Sequence, residues 1–103
     1  MMNHERVSEI LLSKSWKFAK TMAKIPHSYT LEKNWGDKDL YKEVAEFITE
    51  HGDKRLFFRR FYYYYTIDDN EYWAMKINDG SGIINRAIIK PNSDWIDYAK
   101  GKK

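Results

Sequence analysis

Residues 56–67 read Leu-Phe-Phe-Arg-Arg-Phe-Tyr-Tyr-Tyr-Tyr-Thr-Ile, and this run limits the fold more than any other. Aromatic and β-branched residues suit a pleated, partly covered surface, so the run is expected to be strand. Alternation along one strand would put Leu56, Phe58, Arg60, Tyr62 and Tyr64 on one face, and Phe57, Arg59, Phe61, Tyr63 and Tyr65 on the other. Both faces then carry rings. Such a strand can be central, covered by helices on one side and by loops or a partner chain on the other. It can equally leave a platform of rings and arginines open, on which nucleobases stack for roughly 1–3 kcal/mol each. The packing reading has the stronger general support, because buried tyrosines are common in sheets.

With 103 residues, there is room for one core, and a chain of this size hides roughly 65% of the surface its unfolded form exposes. Aromatic residues make up 17% of the chain against a polar mean hydropathy of −0.76. A few large rings must therefore supply most of the burial.

Helical spacing of Val7, Ile10 and Leu11 behind Asn3 predicts a helix over about residues 4–14. Leu40, Val44, Phe47 and Ile48 predict a second over about 38–51, capped by Asp37 and closed by Gly52 in the left-handed conformation. Residues 15–35 read as irregular around Ile25-Pro26. Strands are expected over about 55–67, 71–78 and 83–89, joined by turns at Asp68-Asp69-Asn70 and at Asp79-Gly80-Ser81-Gly82. Pro91 ends the sheet, and Ser93 is placed to cap a brief helix carrying Trp95, Ile96 and Tyr98. The expected class is α+β over the whole of 1–103: two helices packed on an antiparallel three- to four-stranded sheet, with a meander in the C-terminal half.

The absence of cysteine excludes disulfides, thiolate metal ligands and a thiol nucleophile. No apolar stretch approaches a membrane span or a secretory signal, so the expected location is cytoplasmic, away from membranes. His4, His27 and His51 lack the spacing of a metal site. No phosphate-binding loop, dinucleotide fingerprint or nucleophile elbow occurs, and no cofactor is expected.

The formal charge of +3 is unevenly spread. Lys14, Lys17, Lys20 and Lys24 load the first quarter and Lys100, Lys102 and Lys103 the tail, whereas Glu43, Glu46 and Glu50 make the centre acidic. An anionic ligand should meet the flanks. Around Pro26, Lys20-Thr21 and His27-Ser28-Tyr29-Thr30 gather a cation, hydroxyls and an imidazole, a mixture suited to phosphate. Asn85-Arg86 interrupts the apolar third strand, so one of the two is a candidate for an inward position. An inward arginine could clamp a phosphate or pair with Asp68, Asp79 or a helix carboxylate.

Phe18-Ala19-Lys20-Thr21-Met22, Pro26-His27, Tyr29-Thr30-Leu31, Tyr72-Trp73, Met75 and Ile83-Ile84-Asn85-Arg86-Ala87 resemble a family of small bacterial and phage domains. That family is marked by an "AKTM…PH…YT" segment and a later "YW.M…INRA" segment. The resemblance spans about residues 16–88, departing at Glu32, where arginine is usual, and at Ala74 and Lys76, where threonine and glycine are usual. It implies that Lys20, Thr21, His27, Tyr29, Thr30, Tyr72, Trp73, Asn85 and Arg86 form one ligand-binding cluster.

The expected function is non-catalytic binding of a nucleotide or short nucleic acid. Tyr72, Trp73 and Tyr62 or Tyr64 would stack on bases, while Lys20, Thr21, His27 and Arg86 hold phosphate. The resemblance to phage domains implies, as one concrete version, an anti-defence protein that sequesters a signalling nucleotide or blocks a nuclease of a host defence system. Two alternatives stand beside it: an enzyme acting on nucleotides or phosphodiesters through His27, and a protein-interaction module partnered by another protein or a second copy of the chain.

Overall fold

The computed structural model describes residues 2–19, 35–58, 60–78 and 84–101, the side chains of residues 77, 78 and 84–86 excepted. Helix α1 spans His4–Ser13 and opens where the Asn3 side chain accepts a hydrogen bond from the Arg6 amide at 2.9 Å. Val7, Ile10 and Leu11 form its buried stripe. Helix α2 spans Lys38–His51, with the Asp37 side chain accepting from the Leu40 amide at 3.0 Å. Its buried face holds Val44, Ala45, Phe47 and Ile48, and Thr49 satisfies its hydroxyl by donating to the Ala45 carbonyl at 2.7 Å.

Gly52 closes α2 for a different reason from the one its sequence position implies. Its φ is −82°, outside the left-handed region. What requires glycine is space: a Cβ here would lie 2.6 Å from the Tyr64 carbonyl oxygen and 2.7 Å from that of Ile48. The chain leaves the helix directly against the sheet.

Four antiparallel strands follow as a meander: β1 Asp53–Phe57, β2 Arg60–Ile67, β3 Asn70–Asn78 and β4 Ile84–Ile89, adjacent in that order. The strand expected over 55–67 is thus a hairpin, because the chain reverses between Phe57 and Arg60, which pair across the ladder. The turn was hidden from sequence by its residues: Phe58 takes a φ of 49°, a conformation usually signalled by Gly, Asn or Asp. The reversal also reassigns the faces. Leu56 pairs with Phe61, and therefore shares a face with Tyr63 and Tyr65, while Phe57 joins Tyr62 and Tyr64 on the other. At the next turn the expectation holds. Asp68 and Asp69 have φ of 47° and 64° between paired Ile67 and Asn70.

The sheet has a core on each side. Helices α1 and α2 cover one face, where Val7, Leu11, Val44 and Ile48 pack with Ile67, Tyr72, Ala74 and Ile88. The other is covered by a third helix, α3 Ser93–Ala99, whose Trp95 packs with Phe57, Tyr62, Tyr64, Trp73 and Met75. Asn92, rather than Ser93, caps α3. Its Oδ1 accepts from the Trp95 amide at 2.8 Å and its Nδ2 donates to the Ala19 carbonyl at 2.6 Å. Ala19 in turn donates its amide to the Lys90 carbonyl at 3.1 Å beside a bridge from Phe18 to Lys90, so this stretch is stapled to the end of β4. Among the described residues no helix is long and apolar enough to cross a membrane.

Candidate functional site

Of the residues expected to form the binding cluster, Lys20, Thr21, His27, Tyr29 and Thr30 lie outside the described residues. Asn85 and Arg86 belong to β4, where they pair with Ile77 and Lys76 respectively; their side chains are not among those described. Tyr72 and Trp73 are placed clearly. β3 is an inner strand, so each of these two rings enters one of the cores, with 1% and 0% of its surface exposed. Tyr72 meets Trp16 at 5.7 Å on the α1–α2 side, and Trp73 meets Phe57, Tyr62, Tyr64 and Trp95 on the α3 side. Tyr62 and Tyr64 are buried too. None of these four rings offers a free face to a base; the central-strand reading of the tyrosines describes them.

Open rings lie instead at the hairpin and at Phe18, 58% exposed with Lys90 Nζ 5.2 Å from its centroid. Phe58 is 56% exposed and Phe61 52%, with Leu56 also open beside Phe61. Phe58 stacks on exposed Tyr98 of α3, centroids 4.8 Å apart and planes 18° from parallel. Phe58 holds a positive φ, which disfavours a residue with a large side chain by about 1–3 kcal/mol. An exposed phenylalanine in that conformation gains too little from burial to explain itself. A single stack contributes about 0.5–1.5 kcal/mol, comparable to the strain at best.

Cations accompany these rings. Lys54 Nζ lies 4.4 Å from the Phe61 centroid and the Arg55 guanidinium 4.8 Å from that of Tyr64. Burial pushes the Tyr62 hydroxyl pKa up, and Arg60 beside it partly offsets that rise. Tyr64 is pushed up further, first by burial and then by Glu71 and Tyr62, against the pull of Arg55. The Glu71 carboxylate is itself held by the Trp73 indole N–H at 2.9 Å and by Lys100 Nζ at 3.4 Å. Burial thus favours the neutral form of both hydroxyls. Sequence reasoning missed Phe58, Phe61 and Tyr98 as open rings because their exposure depends on where the unseen turn falls.

A concavity of about 640 Å³ lies between the start of α1 and α2. Phe47 and Tyr65 contribute to its lining, with His4, whose Nδ1 hydrogen-bonds the Tyr65 hydroxyl, and His51, which stacks on Phe47 at 4.1 Å. Glu43, Glu46 and Glu50 line it as well, so its field opposes an anion. Among the described residues no three His, Asp or Glu side chains are grouped to hold a metal ion.

Comparison with protein-family models, with curated proteins and with solved structures finds no match to this chain.

Proposed function

We propose that this protein binds a phosphate-bearing ligand with an aromatic base, a nucleotide or a short single strand of nucleic acid, and releases it chemically unchanged. The observation that carries this reading is Phe58: exposed, held at positive φ, stacked on exposed Tyr98, with exposed Arg60 on the facing strand and Arg55 further along β1. Bases stack on open aromatic faces without needing a particular sequence, and cations alongside them meet the phosphates. The hairpin supplies both chemistries on a rigid sheet edge. In a phage setting the same property would sequester a signalling nucleotide or shield a nuclease's substrate.

Native mass spectrometry of protein purified from a bacterial host at low salt tests the reading. A bound mass of nucleotide size, released intact, is the expected result. A bare protein mass with no shift on adding a nucleotide panel would overturn it.

A second reading draws on the opposite face of the hairpin. Leu56 of β1, an edge strand of the sheet, is paired across the ladder with Phe61 of β2, and both are exposed. An exposed apolar pair on an edge strand favours a protein partner or a second copy. Sedimentation over a range of concentrations separates the two: self-association abolished by Phe61→Lys supports this second reading.

A further inference from the structure

We infer that the ligand spans at least two nucleotides joined by a phosphodiester, with one phosphate held at Arg55 and a base stacked at Phe58. The inference rests on the binding function proposed above and names the ligand class of that same surface.

Two donors on the α3 side of the hairpin lack acceptors. Among the described residues, neither the buried Nη1 of Arg55 nor the Tyr64 hydroxyl has a hydrogen-bond partner, although Tyr64 is only 5% exposed. The guanidinium covers the Tyr64 ring at 4.8 Å, which brings both groups to one place. Buried polar groups without partners are uncommon and unfavourable, and a guanidinium is matched best by a carboxylate or phosphate. The nearby carboxylate that acts on Tyr64, Glu71, is already engaged by Trp73 and Lys100. Among the described residues no acceptor meets that Nη1, and an anion drawn to the guanidinium would supply one.

Distance sets the ligand's length. Phe58 lies three residues beyond Arg55, about 10 Å along the chain at strand rise. The guanidinium leans the other way, over Tyr64, which pairs with Asp53, and this extends the separation toward roughly 16 Å. A single nucleotide has only its own sugar between phosphate and base, and cannot occupy both positions. Arg60, exposed and acting on the Tyr62 hydroxyl, stands between them as a further cation. A duplex is unsuited because its bases hide their faces in the stack. The shared chemistry is therefore two or more unstacked nucleotides, from a linear strand or from a cyclic dinucleotide.

Calorimetric titration of the whole chain with thymidine monophosphate, with oligothymidines of two, four and eight nucleotides, and with cyclic di-AMP tests this. The four-nucleotide strand should bind at least about tenfold tighter than the monophosphate, and Arg55→Lys, which keeps the charge but loses the fork, should remove most of that gain. Phe58→Ala should weaken binding of the monophosphate and of the strand alike. Tyr64→Phe, nearly isosteric, gives the same comparison should Arg55→Lys fail to fold. Tighter binding of the cyclic probe than of the linear dinucleotide upholds the inference and identifies a signalling molecule as the source; steady gain with strand length upholds it and identifies nucleic acid. If the monophosphate binds as tightly as the longer strands, or both variants bind them normally, the inference falls while the proposed function stands. If the unaltered protein binds none of the probes, the proposed function falls and takes the inference with it.

Discussion

Tyr72 and Trp73 are neighbours in sequence whose rings are buried on opposite faces of the sheet, one under α1 and α2, the other under α3. Each bulky ring therefore anchors a different core. Replacing Trp73 by alanine should lower stability by about 3–5 kcal/mol. Urea denaturation measures this, and a loss under about 1 kcal/mol would mean that the α3 side is not a packed core.

Gly52→Ala should also destabilise, against the usual gain from reducing unfolded-state freedom. The added Cβ would meet two backbone carbonyls, those of Tyr64 and Ile48, at 2.6 and 2.7 Å, and neither can swing aside as a side chain would. A loss of about 1–3 kcal/mol is expected, the range for overpacking. A melting temperature equal to that of the unaltered protein would show that the helix end and β2 are not so close.

Alkaline pH should unfold the domain cooperatively. Burial pushes the Tyr41 hydroxyl up to about 12, the hydrogen bond it accepts from the Ile88 amide only partly offsetting this, and burial raises Tyr62, Tyr64, Tyr65 and Tyr72 as well. A raised folded value means that the neutral form is favoured in the fold. This stability is complete below the unfolded value near 10 and is lost as pH rises through the folded value, with Tyr41 contributing about 2–3 kcal/mol. Phenolate absorbance followed beside circular dichroism should show these tyrosines ionising together with unfolding. Ionisation near pH 10 without loss of structure would contradict the burial.

Much of the fold was legible because local signals agreed with the tertiary structure. Asn3 and Asp37 cap the helices they precede, and Asp68-Asp69 forms the turn its chemistry implies. The hairpin at Phe58 was not legible, since a phenylalanine at positive φ carries no turn signal. That one missing turn exchanged the faces of Leu56 and Phe57 relative to Tyr62–Tyr65 and hid the open rings beside it. Trp73 looked available for stacking because composition cannot tell an inner strand from an outer one. The cluster around Pro26 lies outside the described residues.

The strain at Phe58 gives a prediction that separates stability from binding. Phe58→Gly relieves the positive φ but removes the stack on Tyr98, so the two effects should nearly cancel, leaving stability within about 1 kcal/mol. Oligonucleotide affinity should nevertheless fall. A large gain in stability with undiminished affinity would mean that the ring plays no part in the ligand surface.

The most direct test is fluorescence anisotropy of a labelled eight-nucleotide oligothymidine titrated with this protein and with Phe58→Ala, at low and at moderate salt. The account predicts saturable binding that weakens as salt rises, and a loss of roughly 5- to 100-fold in the variant, the equivalent of one base stack. Equal affinity for the two proteins, or no binding by either at low salt, would contradict it.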